Sequence, residues 1–459
     1  MTERFDAIVI GAGQAGPPLA VRLAQAGRKT ALIERKRVGG TCVNNGCIPT
    51  KTLIASAHAA HVARRGGDYG VRIDGPIHVD MPTVKARKDQ VVKHSIDGLT
   101  RWLGTTQGLT YIEGHARFEG PRTVHVGDRL LEAEQFFLNV GGRASIPDMP
   151  GVHDVPYLDN ASMMGVDFLP EHLLIVGGSY IGLEFAQMYR RFGSRVTVVE
   201  MGPRLIGRED DEVSKAIQEI LEGEGIAFQL NAECTALARR GDGVEMKVSC
   251  AQEPRQIVGS HVLLAVGRVP NTSDLGLDKA GVATDKKGYI QVDDELRTSV
   301  SHIWALGDAN GRGAFTHTSY NDYEIVAANL LDGEKRKVTD RIPTYALFID
   351  PPLGRAGMTE REVRASNRKA LVATMPMKRV SRARERGETQ GFMRVLVDAQ
   401  SERILGAALL GIEGDEVVHT LLDAMYAGAR YTVIQRAVHI HPTVAELIPT
   451  LLEGLKPLD

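Results

Sequence analysis

The sequence predicts an α/β protein built on two copies of one strand–helix–strand unit, and three observations predict it. A glycine-rich turn follows a short apolar run twice, once after Ile10 and once after Val176. The distances from the first glycine to a helix-stopping glycine and to a closing glutamate agree in the two copies. The chain has 459 residues, which at roughly 150 residues per domain suggests about three domains.

In the first copy, Ala7–Ile10 is an apolar run suited to a buried parallel strand. Gly11, Gly13 and Gly16 follow at GxGxxG spacing, and a helix then carries Leu19, Val21, Leu23 and Ala24 until Gly27 stops it. Thr30–Ile33 is the second strand and ends in Glu34. In such a unit Gly11 makes the tight turn and Gly13 lets a pyrophosphate approach the backbone. Gly16 lets helix and strand pack closely, and the helix N-terminus faces the phosphate charge. Glu34 is placed to accept hydrogen bonds from a ribose.

The second copy begins at Leu173–Val176, with Gly177, Ser179 and Gly182 at the glycine positions. Gly193 stops the helix, Val196–Val199 is the next strand and Glu200 closes it. Glu200 stands 23 residues after Gly177, as Glu34 does after Gly11, and each helix stop lies 16 residues after its first glycine. A single GxGxxG is weak evidence. Two matched copies are strong evidence for two dinucleotide sites. Ser179 replaces the second glycine; its side chain is small and its hydroxyl can donate to a phosphate. Glu200 accepts from a ribose 2′-hydroxyl and repels a 2′-phosphate, so NADH is expected over NADPH, with Arg204 nearby to soften the preference.

Directly after the first unit comes Gly39–Lys51, GGTCVNNGCIPTK, with Cys42 and Cys47 five residues apart. A helix follows, with Leu53, Ile54, Ala57 and His61 on roughly one face. Residues five apart in an ideal helix have Cα atoms about 8.6 Å apart, whereas a disulfide needs less than ~7 Å. The pair can close only if the first helical turn is distorted, which Gly46 permits. A strained disulfide is easily reduced, and a thiolate at a helix N-terminus is stabilised by the dipole. The competing readings are a structural disulfide and a zinc site. Four cysteines in this length form no disulfide framework, and no second close Cys/His pair supplies the about four ligands zinc wants. Cys234 and Cys250 are isolated in strand-like segments and are expected to be small buried side chains.

A hydrophobic share of 43% with 24% charged residues fits a soluble globular chain, and a net charge of −2 gives no reason to expect nucleic acid or an anionic membrane as partner. No apolar run approaches ~20 residues. The start, MTERFDAIVIGAG, does not read as a signal peptide, so a cytoplasmic location is expected.

GGTCVNNGCIPTK resembles the redox motif of the class I pyridine nucleotide-disulfide oxidoreductases, a family that includes dihydrolipoamide dehydrogenase, glutathione reductase and mercuric reductase. The resemblance runs over nearly the whole chain in family order. It implies two Rossmann-like dinucleotide-binding domains, for FAD and NAD(P), plus a C-terminal α+β dimerisation domain. The FAD domain would span 1–145 and 268–336, the NAD(P) domain 146–267, and an antiparallel sheet backed by helices 337–459. FAD would be held by Gly11, Gly13, Gly16 and Glu34, with Lys51, Gly114, Gly307 and Asp308. NAD(P)H would be held by Gly177, Ser179, Tyr180, Gly182, Glu184, Glu200 and Gly267. Ser301–Asn310, SHIWALGDAN, looks like the family's second flavin motif, with Asp308 on the ribityl chain, and Gly267–Thr272 is similar to its crossover segment. Lys51 and Glu184 match a buried ion pair beside the flavin ring, with Lys51 stabilising reduced flavin. Tyr180 matches the tyrosine that covers the flavin until nicotinamide displaces it.

His441-Pro442-Thr443 with Glu446 resembles the family's C-terminal motif. The resemblance implies that Glu446 orients His441 and raises its basicity. It further implies that His441 handles protons at the cysteine pair of the other subunit of a homodimer, and that the His441-Pro442 bond is cis. His439 is read as structural. Electrons would pass from NADH through FAD to Cys47, with Cys42 attacking a small-molecule disulfide or other oxidant and Cys47 resolving the mixed disulfide. The alternatives are a metal-ion reductase of the mercuric or copper type, a dihydrolipoamide dehydrogenase, and a redox-sensing binding protein. No cysteine follows Cys250 to hand over Hg(II), and GRGAFTHTSYNDYE after Asn310 departs from the lipoamide pattern. The basic run Lys378–Arg386, ahead of a predicted interface strand Phe392–Val397, is read as a solvated loop that could also attract an anionic disulfide.

Overall fold

A computed structural model describes residues 2–250 and 255–458. The expected strands form where the sequence is continuously apolar. In the first sheet, Leu109–Glu113, Thr30–Glu34, Glu3–Ile10 and Arg129–Leu138 run parallel in that order. The far edge of Arg129–Leu138 pairs at its start with an antiparallel hairpin and at its end with the parallel strand Ile303–Ala305. Ile8, Val9, Leu32, Phe136 and Phe137 are buried, as expected of strands covered on both faces. Helix Gly16–Gln25 packs Leu19, Ala20 and Leu23 against this sheet.

The second sheet repeats the plan. Ala227–Gln229, Arg195–Val199, His172–Val176, His261–Leu264 and Tyr157–Leu158 are all parallel. Helix Tyr180–Phe192 packs on it and ends at Gly193. A two-stranded ribbon joins the two units, with Gly142–Ala144 antiparallel to Arg268–Pro270. The C-terminal part is a six-stranded antiparallel sheet backed by helices such as Gly414–Tyr426. This architecture is the expected α/β class with an α+β C-terminal region.

The two glycine turns are built alike. A Cβ on Gly11 would stand 2.2 Å from the Asn139 carbonyl oxygen, and one on Gly177 2.4 Å from that of Ala265. Both glycines have positive φ, +102° and +109°. Gly16 and Gly182 are equally constrained: a Cβ on either would lie 2.0 Å from the carbonyl oxygen of its own unit's first glycine. These four positions accept no side chain, so the repeat read from the sequence is a steric requirement.

The three parts are tied together by a partly buried charge network. Arg191, on the second unit's helix, pairs with Glu224 at 2.7 Å and with Asp350 of the C-terminal part at 2.5 Å. His58, on the helix after the cysteine pair, places Nδ1 2.9 Å from the same Asp350 carboxylate. Burial alone would raise the Asp350 carboxyl, but His58 and Arg191 outweigh it and hold it well below the usual carboxylate range.

The basic run differs from expectation. It forms two short helical pieces, Met377–Arg379 and Ser381–Glu385, in place of a loop. Val380 and Ala383 are buried and anchor it, while Lys378, Arg379, Arg382 and Arg384 stay exposed.

Candidate active site

The cysteine segment is fastened to the first glycine turn. Gly39 donates its N–H to the Ala12 carbonyl at 2.7 Å, and Gln14 donates to the Gly39 carbonyl at 3.1 Å. A Cβ on Gly40 would lie 2.7 Å from the Gly13 Cα, so the two glycines pack backbone to backbone. The sequence reading placed both cysteines in one distorted helical turn. Instead Cys42 sits in its own short helix, Gly40–Asn45, and Cys47 opens the next, Cys47–Arg64. Gly46 is the break between them, and a Cβ there would meet the Thr41 carbonyl oxygen at 2.8 Å. The break brings together two sulfurs that a continuous helix would hold apart.

No disulfide joins the two cysteines in this structure. The hydrogen bond between the two sulfurs keeps the proton on Cys42, whose thiol is pushed far up, with burial adding to the effect. The same bond, helped by the Thr316 hydroxyl and the Lys51 charge, outweighs burial and lowers Cys47 to about 6. Thr316 Oγ1 is 3.1 Å from Cys47 Sγ; with Cys47 as thiolate, the hydroxyl donates. Cys47 is also the first residue of an 18-residue helix, where the backbone dipole favours a negative charge.

Lys51, one helical turn further on, places Nζ 2.6 Å from Glu184 Oε2. Glu184 is buried and Lys51 is partly exposed to the cavity. Lys51 also lies 4.4 Å from the Phe348 ring centroid, and Glu184 accepts the Phe348 N–H at 3.2 Å. Tyr180 is the first helical residue after Ser179.

The two strand-end glutamates are held alike. Glu34 accepts the N–H groups of Ala12 and Lys36, both at 2.8 Å, and Glu200 accepts those of Gly178 and Gly202, both at 2.7 Å. Arg204 does not reach Glu200; its guanidinium pairs with Asp211. Asp308 lies in the turn Gly307–Asn310, where burial raises its carboxyl although Arg268, 3.4 Å away, opposes the shift.

A single continuous cavity of ≈ 2870 Å³ brings most of the expected residues together. Gly11, Gly13, Glu34, Cys42, Cys47, Lys51, Gly114 and Asp308 line it from the first unit and its flanks. Gly177, Ser179, Tyr180, Glu184, Glu200 and Gly267 line it from the second. Gly16, Gly182 and Gly307 stand behind the wall as packing positions. Cys234 is half-buried rather than buried, with its Sγ 3.4 Å from Met149 Sδ, and burial raises its thiol to about 11. The side chain of Cys250 lies outside the described residues.

His441 and Glu446 lie away from this cavity. Both Glu446 carboxylate oxygens are within 2.9–3.0 Å of His441 Nδ1, and the His441-Pro442 bond is cis. The imidazole is 73% exposed while the carboxylate is only 12% exposed. The segment just ahead of it carries bare apolar side chains: Val438 is 101% exposed and Ile440 80%.

Sequence reasoning missed three groups. Thr316 carries no local signal, because its partner is 269 residues away. Asn139 accepts the Gly16 N–H at 3.0 Å and donates to the Leu306 carbonyl at 3.0 Å, joining the glycine turn to the Gly307–Asn310 segment. Its signal was available: an amide ending the apolar strand Phe136–Leu138, ahead of Gly141-Gly142. The aromatic group around Tyr180, formed by Phe315 and Tyr345, is assembled only in three dimensions.

These residues fit two dinucleotides. Each glycine turn presents backbone with no room for a Cβ, each faces a helix N-terminus, and each has a carboxylate for a ribose. The chain belongs to the pyridine nucleotide-disulphide oxidoreductases: that family's model matches residues 5–322 and its dimerisation-domain model matches residues 343–452. It is an NAD(P)H-dependent flavoprotein disulfide oxidoreductase. It is 35% identical to the probable pyridine nucleotide-disulfide oxidoreductase RclA of Escherichia coli, covering 99% of this chain and 100% of that one. It is 33% identical to a dihydrolipoyl dehydrogenase of Haloferax volcanii, over 98% of this chain and 96% of that one. The solved structure of the HOCl-induced flavoprotein disulfide reductase RclA from Escherichia coli matches with a TM-score of 0.89 at 34% identity, over 98% and 99% of the chains. Its Cu(II) complex matches with the same TM-score and identity, over 97% and 99%. Among the described residues, no helix is long and apolar enough to cross a membrane.

Proposed function

We propose that this chain passes electrons from NADH through FAD to Cys42 and Cys47 and on to a small disulfide. The observation that carries the reading is a cysteine pair, with Thr316 Oγ1 3.1 Å from Cys47 Sγ, beside a lysine–glutamate pair on the wall common to both dinucleotide cradles. Gly11, Gly13, Gly16, Glu34, Gly114, Gly307 and Asp308 would hold FAD, with Lys51 beside the ring. Gly177, Ser179, Gly182, Glu200 and Gly267 would hold the nicotinamide dinucleotide, with Glu184 fixing Lys51 and Tyr180 covering the site. Bound there, the flavin supplies the two-electron link between nicotinamide and sulfur.

The protein's own steps are thiol chemistry. Cys42 retains its proton until a base removes it, and the resulting thiolate attacks one sulfur of the substrate. One thiol leaves and a mixed disulfide with Cys42 forms. Cys47 then attacks Cys42, the second thiol leaves and the Cys42–Cys47 disulfide closes. Two substrate thiols are formed for each protein dithiol oxidised. Glu446 accepts from His441 Nδ1, which leaves Nε2 as the basic nitrogen. The exposure of that imidazole and its distance from its own chain's cavity support its service to a second subunit of a homodimer, where it takes the Cys42 proton and returns it to the leaving thiolate. The few cysteines and the reducing chemistry support a cytoplasmic site of action.

Thr316→Val tests the sulfur assignments. A hydrogen bond to the charged form lowers a pKa, so the Cys47 thiolate persists above about pH 6 and is lost below it. Removing the hydroxyl should raise that midpoint by about one unit, read as the pH dependence of thiolate-to-flavin charge-transfer absorbance in reduced protein. An unmoved midpoint would remove Thr316 from the site.

Glu200, fixed by two amides and free of Arg204, supports NADH over NADPH. NADH should exceed NADPH in kcat/KM by about tenfold or more, and Glu200→Ala should erase most of that ratio. Comparable values in the unmodified protein would eliminate the preference.

A second reading, reduction of Cu(II) by the thiol pair, is favoured by the likeness to a relative solved as a Cu(II) complex. Two Cu(II) ions would take the two electrons released as the dithiol becomes a disulfide and sheds two protons. Steady-state NADH oxidation with glutathione disulfide, lipoamide, Cu(II) and Hg(II) separates the readings: turnover with metal alone supports the second and refutes the first.

A further inference from the structure

Tyr180 is flanked by three groups that hold it in different ways. The rings of Phe315 and Tyr345 meet it edge-on, with centroids 6.0 and 5.4 Å away and interplanar angles of 88° and 85°. The Arg208 guanidinium lies over the Tyr180 ring, 5.0 Å from its centroid, and 5.9 Å from that of Tyr345. Phe315 and Tyr345 stack on each other at 5.6 Å and 12°. The residue after Arg208, Glu209, is fully buried and accepts the Tyr345 phenol. Two consecutive residues thus hold two tyrosines, one by charge over a ring and one by a hydrogen bond.

The two tyrosines are not equally secured. Tyr345 has its hydroxyl satisfied by Glu209 and its ring stacked on Phe315. The Tyr180 hydroxyl is buried with no hydrogen-bond partner among the described residues. An unsatisfied buried hydroxyl is unfavourable, and exposure to water would satisfy it. The observed position of Tyr180 is therefore held by contacts of its ring and not by its hydroxyl. Arg208 supplies their charged member, and it faces the cavity from an exposed position.

We infer that Arg208 is the latch of the nicotinamide pocket: it holds Tyr180 closed, while Glu209 fixes Tyr345 as the stop against which the ring rests. The inference rests on the reading above that a nicotinamide must displace Tyr180. Arg208 is then a positioning residue that sets the fraction of molecules open to the dinucleotide. A ligand that binds only the open form shows an apparent affinity reduced by that fraction.

The test is calorimetric titration of the oxidised FAD-bound protein with NAD⁺, which binds without turnover. Arg208→Ala should tighten the apparent Kd about two- to thirtyfold, the range of a cation–ring contact, and Arg208→Lys should fall between it and the unmodified protein. Tyr180→Ala should tighten binding similarly, and Arg208→Ala added to it should change nothing further. Weaker NAD⁺ binding in Arg208→Ala, or an equal shift on both backgrounds, would mean that Arg208 contacts the dinucleotide itself and would overturn the latch. Tightening in Tyr180→Ala without tightening in Arg208→Ala would overturn the latch alone. An unchanged Kd in Tyr180→Ala would overturn the reading of Tyr180 as the cover, and the latch with it.

Discussion

Cys42→Ser protein is expected to lose disulfide turnover by on the order of 10³-fold or more, while NADH still bleaches the flavin at its normal rate. Thr316 and the helix N-terminus both face Cys47 and favour its thiolate, so Cys42 is assigned the attack on substrate and Cys47 the resolving role. Serine at 42 removes the attacking sulfur and leaves Cys47 in place against Thr316 and Lys51. The variant should therefore keep long-wavelength charge-transfer absorbance as isolated. Cys47→Ser should lose both that absorbance and turnover. Anaerobic stopped-flow spectroscopy with NADH, followed by mixing with a disulfide, reads both effects. Full turnover in Cys42→Ser would refute the assignment of the attacking sulfur.

The second large effect concerns His441. His441→Ala should lower disulfide turnover about 10²- to 10⁴-fold, the usual loss for a positioned acid/base, with flavin reduction by NADH unchanged. Glu446→Gln should give a smaller loss, because it weakens the hold on Nδ1 and leaves the imidazole in place. The sharper measurement is complementation. A dimer formed from one Cys42→Ser chain and one His441→Ala chain has one site with both partners intact and one with neither. Random mixing of the two inactive proteins should then restore about a quarter of the unmodified activity. No recovery in demonstrated mixed dimers would show that His441 serves its own chain's cysteines.

Much of this was legible in the sequence, for a physical reason. Gly11, Gly16, Gly177 and Gly182 sit where a Cβ would overlap a carbonyl oxygen, so the spacing of the turn is written directly into the chain. Cys42 and Cys47, and likewise His441 and Glu446, lie within five residues of each other, so their local geometry follows from short segments. What stayed illegible is non-local. Thr316 meets Cys47 and Asn139 meets Gly16 across the first unit, and Arg208 meets Tyr180 within the second unit and Tyr345 of the C-terminal sheet, each contact made by the tertiary fold and not by a short segment. A threonine or an arginine on such a contact leaves no period or motif behind. The helix break at Gly46 was half legible: the reach of a disulfide demanded a distortion, but only the backbone shows two helices in place of one bent turn. The exposed arginines of the basic run suggested a loop, whereas Val380 and Ala383 supply the buried anchors that let it coil.

The bare side chains of Val438 and Ile440 stand just ahead in the chain of His441, the residue expected to do the proton work. A lone chain would present that greasy rim to water and carry a histidine with nothing to act upon. On the proposed service of His441 to a partner subunit, assembly and chemical competence share one surface, and readiness to react then depends on how many copies are present as well as on how each is folded.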